Sequence, residues 1–444
     1  MFETLIRGAT VVNADGLSHS DVGIVGGKIA ALMPPGETAE AGTVLDASGS
    51  FLLPGLIDAH AHLREPGLTH KEDFASGTHA AALGGVTTVL DMPTDEPWTA
   101  THEQLADKMA MAEGRIHVDV GLQTVVSRDL SLIPRLLDLT PVSFELFTAD
   151  VPDAFLFPSL DAVAEALKAF DGADTLIGIS PGDQSILTGS TQRDRSGTIA
   201  AFLDSRPPLA EAGGIARALV AVASTGTRIH VRQINSELGV ETWRRLRDMA
   251  DASVETTPQN LFFTSEDYET HGASLKASPP LRSPHDVDAL RAALSAGLID
   301  IVATDHAPHA PAEKAAHYGA FADIPGGMPG LQTLLQAMLK LVDEELIALP
   351  DLVRMCASNP AERFGLGWRK GKIAAGYDAD LLILDPRRSS TIANAEQASR
   401  AAYTPFDGWT VKARLTNIFL RGREVVRDQR LVGPPQGKIV RRES

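Results

Sequence analysis

Phe51-Leu52-Leu53-Pro54-Gly55-Leu56-Ile57-Asp58-Ala59-His60-Ala61-His62-Leu63-Arg64-Glu65-Pro66-Gly67 is the stretch at which this chain changes character. An apolar run meets a Pro-Gly turn signal, a second apolar run follows, and two histidines stand at i and i+2. On an extended segment, residues two apart point to the same side. His60 and His62 can therefore present two imidazoles to one point, as a metal such as zinc requires. Arg64 continues the same parity and can reach an anion beside that point. A pair of polar loop histidines is the plainer reading of the motif taken alone.

Upstream, residues 1–53 read as short strands. Thr4–Arg7, Thr10–Val12 and Asp21–Val25 are followed by a Gly26-Gly27 turn and Lys28–Leu32. Downstream, across 54–370, β-like runs alternate with helical ones. The strand candidates are Gly85–Leu90, Val118–Leu122, Val142–Phe147, Thr175–Ile179, Arg228–Val231 and Ile299–Ala303; helical candidates include Ser159–Phe170, Glu211–Ser224 and Asp286–Ala296. Repeated βα units argue for a parallel α/β architecture, and their total suits a (β/α)8 TIM-type barrel. Strand character returns in 371–444, at Gly371–Ile373, Ala379–Asp385 and Leu415–Gly422. The expected arrangement is a barrel of residues 54–370 flanked by a small β-sandwich domain built from 1–53 and 371–444.

Composition narrows the function classes. The chain has 444 residues, enough for a barrel plus an accessory domain. Its 40 basic and 57 acidic residues give a net charge of −17, which argues against nucleic acid or an anionic membrane as partner. Its single cysteine, Cys356, excludes an internal disulfide framework and reads as a buried small hydrophobe. No run of about 18 apolar residues occurs, and no signal-peptide pattern opens the sequence, so the cytoplasm is the expected location.

Asp300-Ile301-Val302-Ala303-Thr304-Asp305-His306-Ala307-Pro308-His309 is the second informative stretch: an apolar strand ending in a carboxylate and two imidazoles. Barrel active sites gather at the C-terminal ends of strands. Asp305 is placed to bind a metal, to take a proton from water, or both. A turn-capping aspartate is the plainer alternative.

In these residues the chain resembles the cyclic amidohydrolases of the dihydroorotase, allantoinase and hydantoinase group, and looks closest to the dihydroorotase branch. The resemblance runs nearly end to end. Besides the two stretches above it takes in Gly84–Thr88 leading into Asp91-Met92-Pro93, Ser205-Arg206-Pro207, Pro279–Arg282, Asn359-Pro360-Ala361 and Gly376–Asp380. It implies a (β/α)8 barrel, a flanking β-sandwich, and hydrolysis of a cyclic amide bond by metal-activated water.

The departures from that pattern are as informative. The group's bridging carboxylated lysine falls on Glu145, in Phe144-Glu145-Leu146-Phe147, and no lysine lies between Lys108 and Lys168. Two readings of Glu145 stand side by side: a carboxylate ligand in place of the lysine, or a salt-bridged barrel residue. Two further histidine ligands fall on Ser180 and Gln233; His230 is not an obvious stand-in, because an offset of three puts it on the opposite face of a strand. Both losses concern one metal position. The resemblance thus implies a mononuclear zinc site of His60, His62, Glu145 and Asp305. For the substrate carboxylate it implies Arg64, His309 and, where an asparagine is usual, Thr94. His306 is read as an orienting residue.

The leading expectation is a dihydroorotase-like hydrolase acting on dihydroorotate or a related acidic ring, hence a place in pyrimidine biosynthesis, with Asp305 as the catalytic proton carrier. Two alternatives remain: a catalytically silent subunit scaffolding a transcarbamoylase, and an allantoinase- or hydantoinase-like cyclic amidase. The resemblance also makes a homo-oligomer one option.

Overall fold

The computed structural model describes residues 1–443. Eight parallel strands form the centre: β1 (Leu56–Ala61), β2 (Val86–Asp91), β3 (Asp119–Val125), β4 (Ser143–Phe147), β5 (Leu176–Ser180), β6 (Arg228–Val231), β7 (Ala252–Thr256) and β8 (Ile301–Val302). Each pairs with the next in chain order, and a parallel bridge between Ala61 and His306 brings β8 back to β1. The result is the expected (β/α)8 barrel, with helices such as Leu160–Lys168, Pro208–Thr225 and Pro284–Ser295 outside it.

The strands alternate with period two, and the alternation decides which side chains enter the barrel. Phe144 and Leu146, Ile177 and Ile179, and Ile229 and Val231 all bury outward in the large core shared with the helices. Their inward neighbours are polar or small: Ser143 and Glu145, Gly178 and Ser180, His230 and then Arg232. β7 continues the pattern, with Val254 outward and the polar Ser253 and Glu255 buried on the other side. Each helix stops where its sequence lets it; Pro208–Thr225 ends at Gly226, whose φ of 73° is the left-handed cap glycine supplies readily.

The flanking domain is made from both ends of the sequence. One sheet holds Lys28–Met33, Asp21–Val25, Phe2–Arg7 and Ala41–Asp46. The other includes Arg414–Leu420, Leu381–Asp385, Phe51–Pro54 and Thr10–Asn13, with Leu381–Asp385 lying antiparallel on Phe51–Pro54. Their shared core contains Ile6, Val11, Val22, Ile24, Leu52, Leu381, Ile383 and Phe419. The segment Ile439–Val440 leaves this domain and pairs with β3 at Val120 and Gly121, below the point where β3 meets β4.

At the base of the barrel a buried charge cluster joins the two units. Lys370 Nζ lies 2.8 Å from Asp119 and 2.6 Å from Asp380, with Asp378 at 3.5 Å. Arg421 adds a second cation against Asp119. No helix among the described residues is long and apolar enough to cross a membrane. Cys356 is buried and free, as expected.

Candidate metal and substrate site

The strand ends and the loops after them carry the site. β1 has a register irregularity between Asp58 and Ala61. There the buried Asp58 carboxylate accepts from His60 N at 3.1 Å and Thr304 N at 3.0 Å, and also from the Thr304 hydroxyl. One carboxylate thus ties the histidine strand to the segment carrying Asp305. Burial pushes the Asp58 pKa up to about 6, against these hydrogen bonds. Three residues here take left-handed backbone: Arg64 (φ 62°), Gln233 (φ 47°) and Asp305 (φ 46°). For non-glycine residues this costs of order 1–3 kcal/mol each and concentrates at functional sites.

His60, His62 and Asp305 come together, each offering an atom within 4.8 Å of the others. Asp305 Oδ1 lies 3.3 Å from His60 Nε2 and 3.1 Å from His62 Nε2. Both imidazoles are held from behind. His60 Nδ1 is 2.5 Å from Glu255 Oε1, and His62 Nδ1 is 2.8 Å from Thr94 Oγ1. Burial alone would raise the Glu255 pKa, but Arg232 and His60 outweigh it and hold the group well below its ordinary value. Glu255 is therefore a carboxylate that only accepts, so His60 Nδ1 carries a hydrogen.

A histidine with one nitrogen held by a carboxylate and the other presented to a cluster of ligands is the arrangement metal sites use. Two imidazole nitrogens and a carboxylate oxygen facing one another require a cation among them, either a proton on His60 or a metal ion. Burial lowers the His60 pKa, but Glu255 and Asp305 overcome it and leave it above its ordinary value. For His62 burial dominates, and its pKa falls to about 4. Nitrogen and oxygen donors in this number suit zinc. The residues fit the metal that the sequence implied.

Glu145 does not join this group. Its Oε1 accepts from Ser180 Oγ at 2.8 Å, and its Oε2 lies 3.1 Å from Arg232 Nε and 3.0 Å from Nη2. Of the two sequence readings, the structure displays the ion pair. Gln233 donates to Asp305 Oδ2 and so braces that carboxylate. Its left-handed backbone breaks strand parity, which is why His230, three residues earlier, also faces inward. His230 Nε2 meets Glu255 Oε2 at 2.9 Å, its Nδ1 meets Ser253 Oγ at 2.8 Å, and burial drives its pKa down to about 4.

A cavity of about 230 Å³ opens beside His60, His62 and Asp305. That is below the ~300–1,000 Å³ of pockets for drug-sized ligands and suits a small ring. Its other walls include Met92, Phe147, Val151, Leu187, Arg206, Gln233 and Ser278. Arg64, Thr94 and His309 do not line it. Thr94 serves His62 instead. His309 Nε2 donates to Gly326 O at 2.9 Å, and burial together with Arg64 and Lys71 drives its pKa down to about 3. Arg64 makes no side-chain hydrogen bond or ion pair among the described residues, and its Nε is buried without a partner. His306 is buried, with Nδ1 accepting from Gly330 N at 3.1 Å and Nε2 3.4 Å from Glu72, so it anchors the loop. Sequence reasoning missed the roles of Glu255 and Arg232, and took Arg206 only as part of a motif. For Arg232 the available signal was a charge inside an apolar run, Ile229–Ile234; for Glu255 the local sequence offered none.

The chain is similar to known proteins over nearly its whole length. The model of the amidohydrolase family matches residues 51–128 and 211–425. An allantoinase of Salmonella newport is 33% identical over 99% of this chain and 98% of its own length. The L-hydantoinase (dihydropyrimidinase) of Arthrobacter aurescens shares 29% identity over the full length of both chains, with a TM-score of 0.95. A dihydropyrimidinase from Brevibacillus agri shares 28% over 99% of this chain and 98% of its own, with a TM-score of 0.90. None of these proteins is named a dihydroorotase. The narrower expectation of the dihydroorotase branch and of pyrimidine biosynthesis is therefore unsupported, as is a transcarbamoylase partner. With the family model matching more than half of the chain and a relative 33% identical over 99% of it, the chain belongs to the amidohydrolase family.

Proposed function

We propose that this protein is a metal-dependent hydrolase that opens a cyclic amide ring, in the manner named for its allantoinase and hydantoinase relatives. The observation that carries the reading is the convergence of His60 Nε2, His62 Nε2 and Asp305 Oδ1, with Glu255 and Thr94 gripping the far nitrogens. His60, His62 and Asp305 would hold a zinc ion. A bound zinc ion lowers the pKa of water towards ~7 and polarises a carbonyl.

The chain's own residues do the rest. Asp305 takes the proton of the attacking water and returns it to the departing ring nitrogen; Gln233 fixes the rotamer in which it does so. Met92, Phe147, Val151 and Leu187 exclude water from one side of the ring. Opening a cyclic amide creates a carboxylate; Arg206 and Arg282 on the cavity wall are cations that attract it, and the unpaired Arg64 near Asp305, outside that wall, adds to the same field.

The test is a panel of rings — allantoin, hydantoin, dihydrouracil and dihydroorotate — offered to zinc-loaded protein, with ring opening followed directly. Turnover of at least one of the first three, abolished in Asp305→Asn, is expected. No turnover of any ring, or an Asp305→Asn variant with full activity, would sink the proposal. A second reading, an acidic ring of the dihydroorotate type, is favoured by Arg64 alone. It wins if dihydroorotate is the preferred substrate and Arg64→Met raises KM for that ring only.

A further inference from the structure

Beneath His60, at the edge of the substrate cavity, the barrel interior holds a guanidinium, Arg232, whose bonds all go to the chain itself. We propose that Arg232 is a built-in cation which takes up both carboxylates under the ligand cluster, Glu145 and Glu255. The site then accepts a single divalent ion without Glu145, and Arg232 acts as a positioning residue for His60 through Glu255. This inference rests on the metal-site reading above.

Every guanidinium nitrogen of Arg232 is engaged. Nε donates to Glu145 at 3.1 Å, and Nη2 donates to Gln123 Oε1 at 2.6 Å while lying 3.0 Å from Glu145. Nη1 donates to Ala59 O at 3.0 Å and to Glu255 Oε2 at 3.2 Å. The guanidinium carbon sits 5.5 Å from the centre of the Phe364 ring, on which it rests. Arg232, Glu145 and Glu255 are all fully buried.

The backbone has made room for this pair. A Cβ on Gly178 would stand 2.1 Å from Glu145 Oε2 and 2.9 Å from Arg232 Nη2. Any side chain at that inward position of β5 would separate the two ions. Ser180 Oγ donates to the other oxygen of Glu145, so both of its oxygens are engaged within the barrel. A second divalent ion beside Glu145 would be forced against the guanidinium, and like charges at that range repel strongly in a buried site. Glu255, in contrast, passes the effect on. One oxygen is held by Arg232 and His230, and the other fixes His60 with Nε2 towards Asp305. Partners behind a ligating histidine set its orientation and basicity.

The experiment titrates metal-stripped protein with Co²⁺ alone, reading bound metal per chain and the visible absorption of the bound ion. The wild type is expected to saturate at one Co²⁺ per chain. Glu145→Gln should keep that stoichiometry and spectrum with affinity within about threefold, whereas Arg232→Met should weaken binding about 10–100-fold and alter the spectrum. Arg232→Lys should recover part of the loss. If Arg232→Met does not fold, Glu255→Gln reads the same link and should weaken binding at least about tenfold. Two Co²⁺ per chain in the wild type, a tenfold or greater loss in Glu145→Gln, or unchanged binding and spectrum in Arg232→Met (Glu255→Gln where that variant does not fold) would overturn this inference alone. No Co²⁺ uptake by the wild type would overturn the metal reading and this inference with it.

Discussion

Among the described residues, two places gather three potential ligands within 4.8 Å of one another: His60, His62 and Asp305 at the top of the barrel, and Asp119, Asp378 and Asp380 at its base. The base cluster is already neutralised by the chain itself, with Lys370 set among all three carboxylates, Arg421 on Asp119, and Arg369 and Lys28 on Asp378. The top cluster has no such cation paired to its donor atoms: Arg232 is committed to Glu145 and Glu255 one layer below, and Arg64, near Asp305, makes no ion pair among the described residues. Clustered acids mark a metal site only where the fold withholds its own cation. The same rule separates Glu145 from Asp305, although both are inward carboxylates.

Removing the key carboxylate from the top is expected to have the largest effect. Asp305→Asn should lower kcat by about 10²–10⁴-fold, the usual share of a positioned acid–base group, as measured on whichever ring the wild type opens. Removing the cation from the base attacks the fold instead. Lys370→Met leaves buried carboxylates under-compensated and should cost about 3–5 kcal/mol in denaturant unfolding. If the base is a metal site closed by its lysine, Ca²⁺ should then raise the Tm of Lys370→Met and leave that of the wild type unchanged. A wild-type Tm that climbs with Ca²⁺ would break the contrast.

Chelation should act at the top only. With free zinc at about 100 times its Kd, removal should cost about 2.7 kcal/mol of stability, with the far-ultraviolet circular dichroism preserved. Collapse of the whole structure on chelation would show that the top cluster holds the fold as well. The smallest effect concerns pH. His230 keeps a pKa of about 4 when folded, against about 6.5 in an unfolded chain. Between these values the unfolded chain binds the extra proton, so stability falls as pH falls from 6.5 towards 4. At pH 5 the penalty is about 2 kcal/mol. His230→Asn should flatten that slope in a series of melting curves; an unaltered slope would exclude His230 as its source.

Much of the barrel was legible because most strands bury an apolar outward face. β6 was read to the residue at Arg228–Val231, and the strands around it within a few positions. β7 was not read. Its inward residues, Ser253 and Glu255, are polar because they serve His230 and His60, and only Val254 carries the outward apolar signal. The strand that hid its pattern is the one that holds His60 in place. The cluster of His60, His62 and Asp305 was visible as motifs at strand ends. Glu145 was left between ligand and salt-bridged residue, and the role of Thr94 was not visible, because a side chain's partner across the barrel leaves no mark in local spacing. Parity misjudged His230 for a definite reason: the turn of the backbone at Gln233 resets which way side chains point.

The pairing of Phe51–Pro54 with Leu381–Asp385 sets the order of events during synthesis. The barrel is, in effect, one long insertion between two neighbouring strands of the sandwich. Residues 51–54 leave the ribosome early and wait without their partner while more than three hundred further residues are made. Contacts so distant in sequence form slowly, and unpaired strands are prone to mispair in the interval. The early strands thus face their greatest hazard before the catalytic barrel is complete, and chaperone dependence of expression should track that delay.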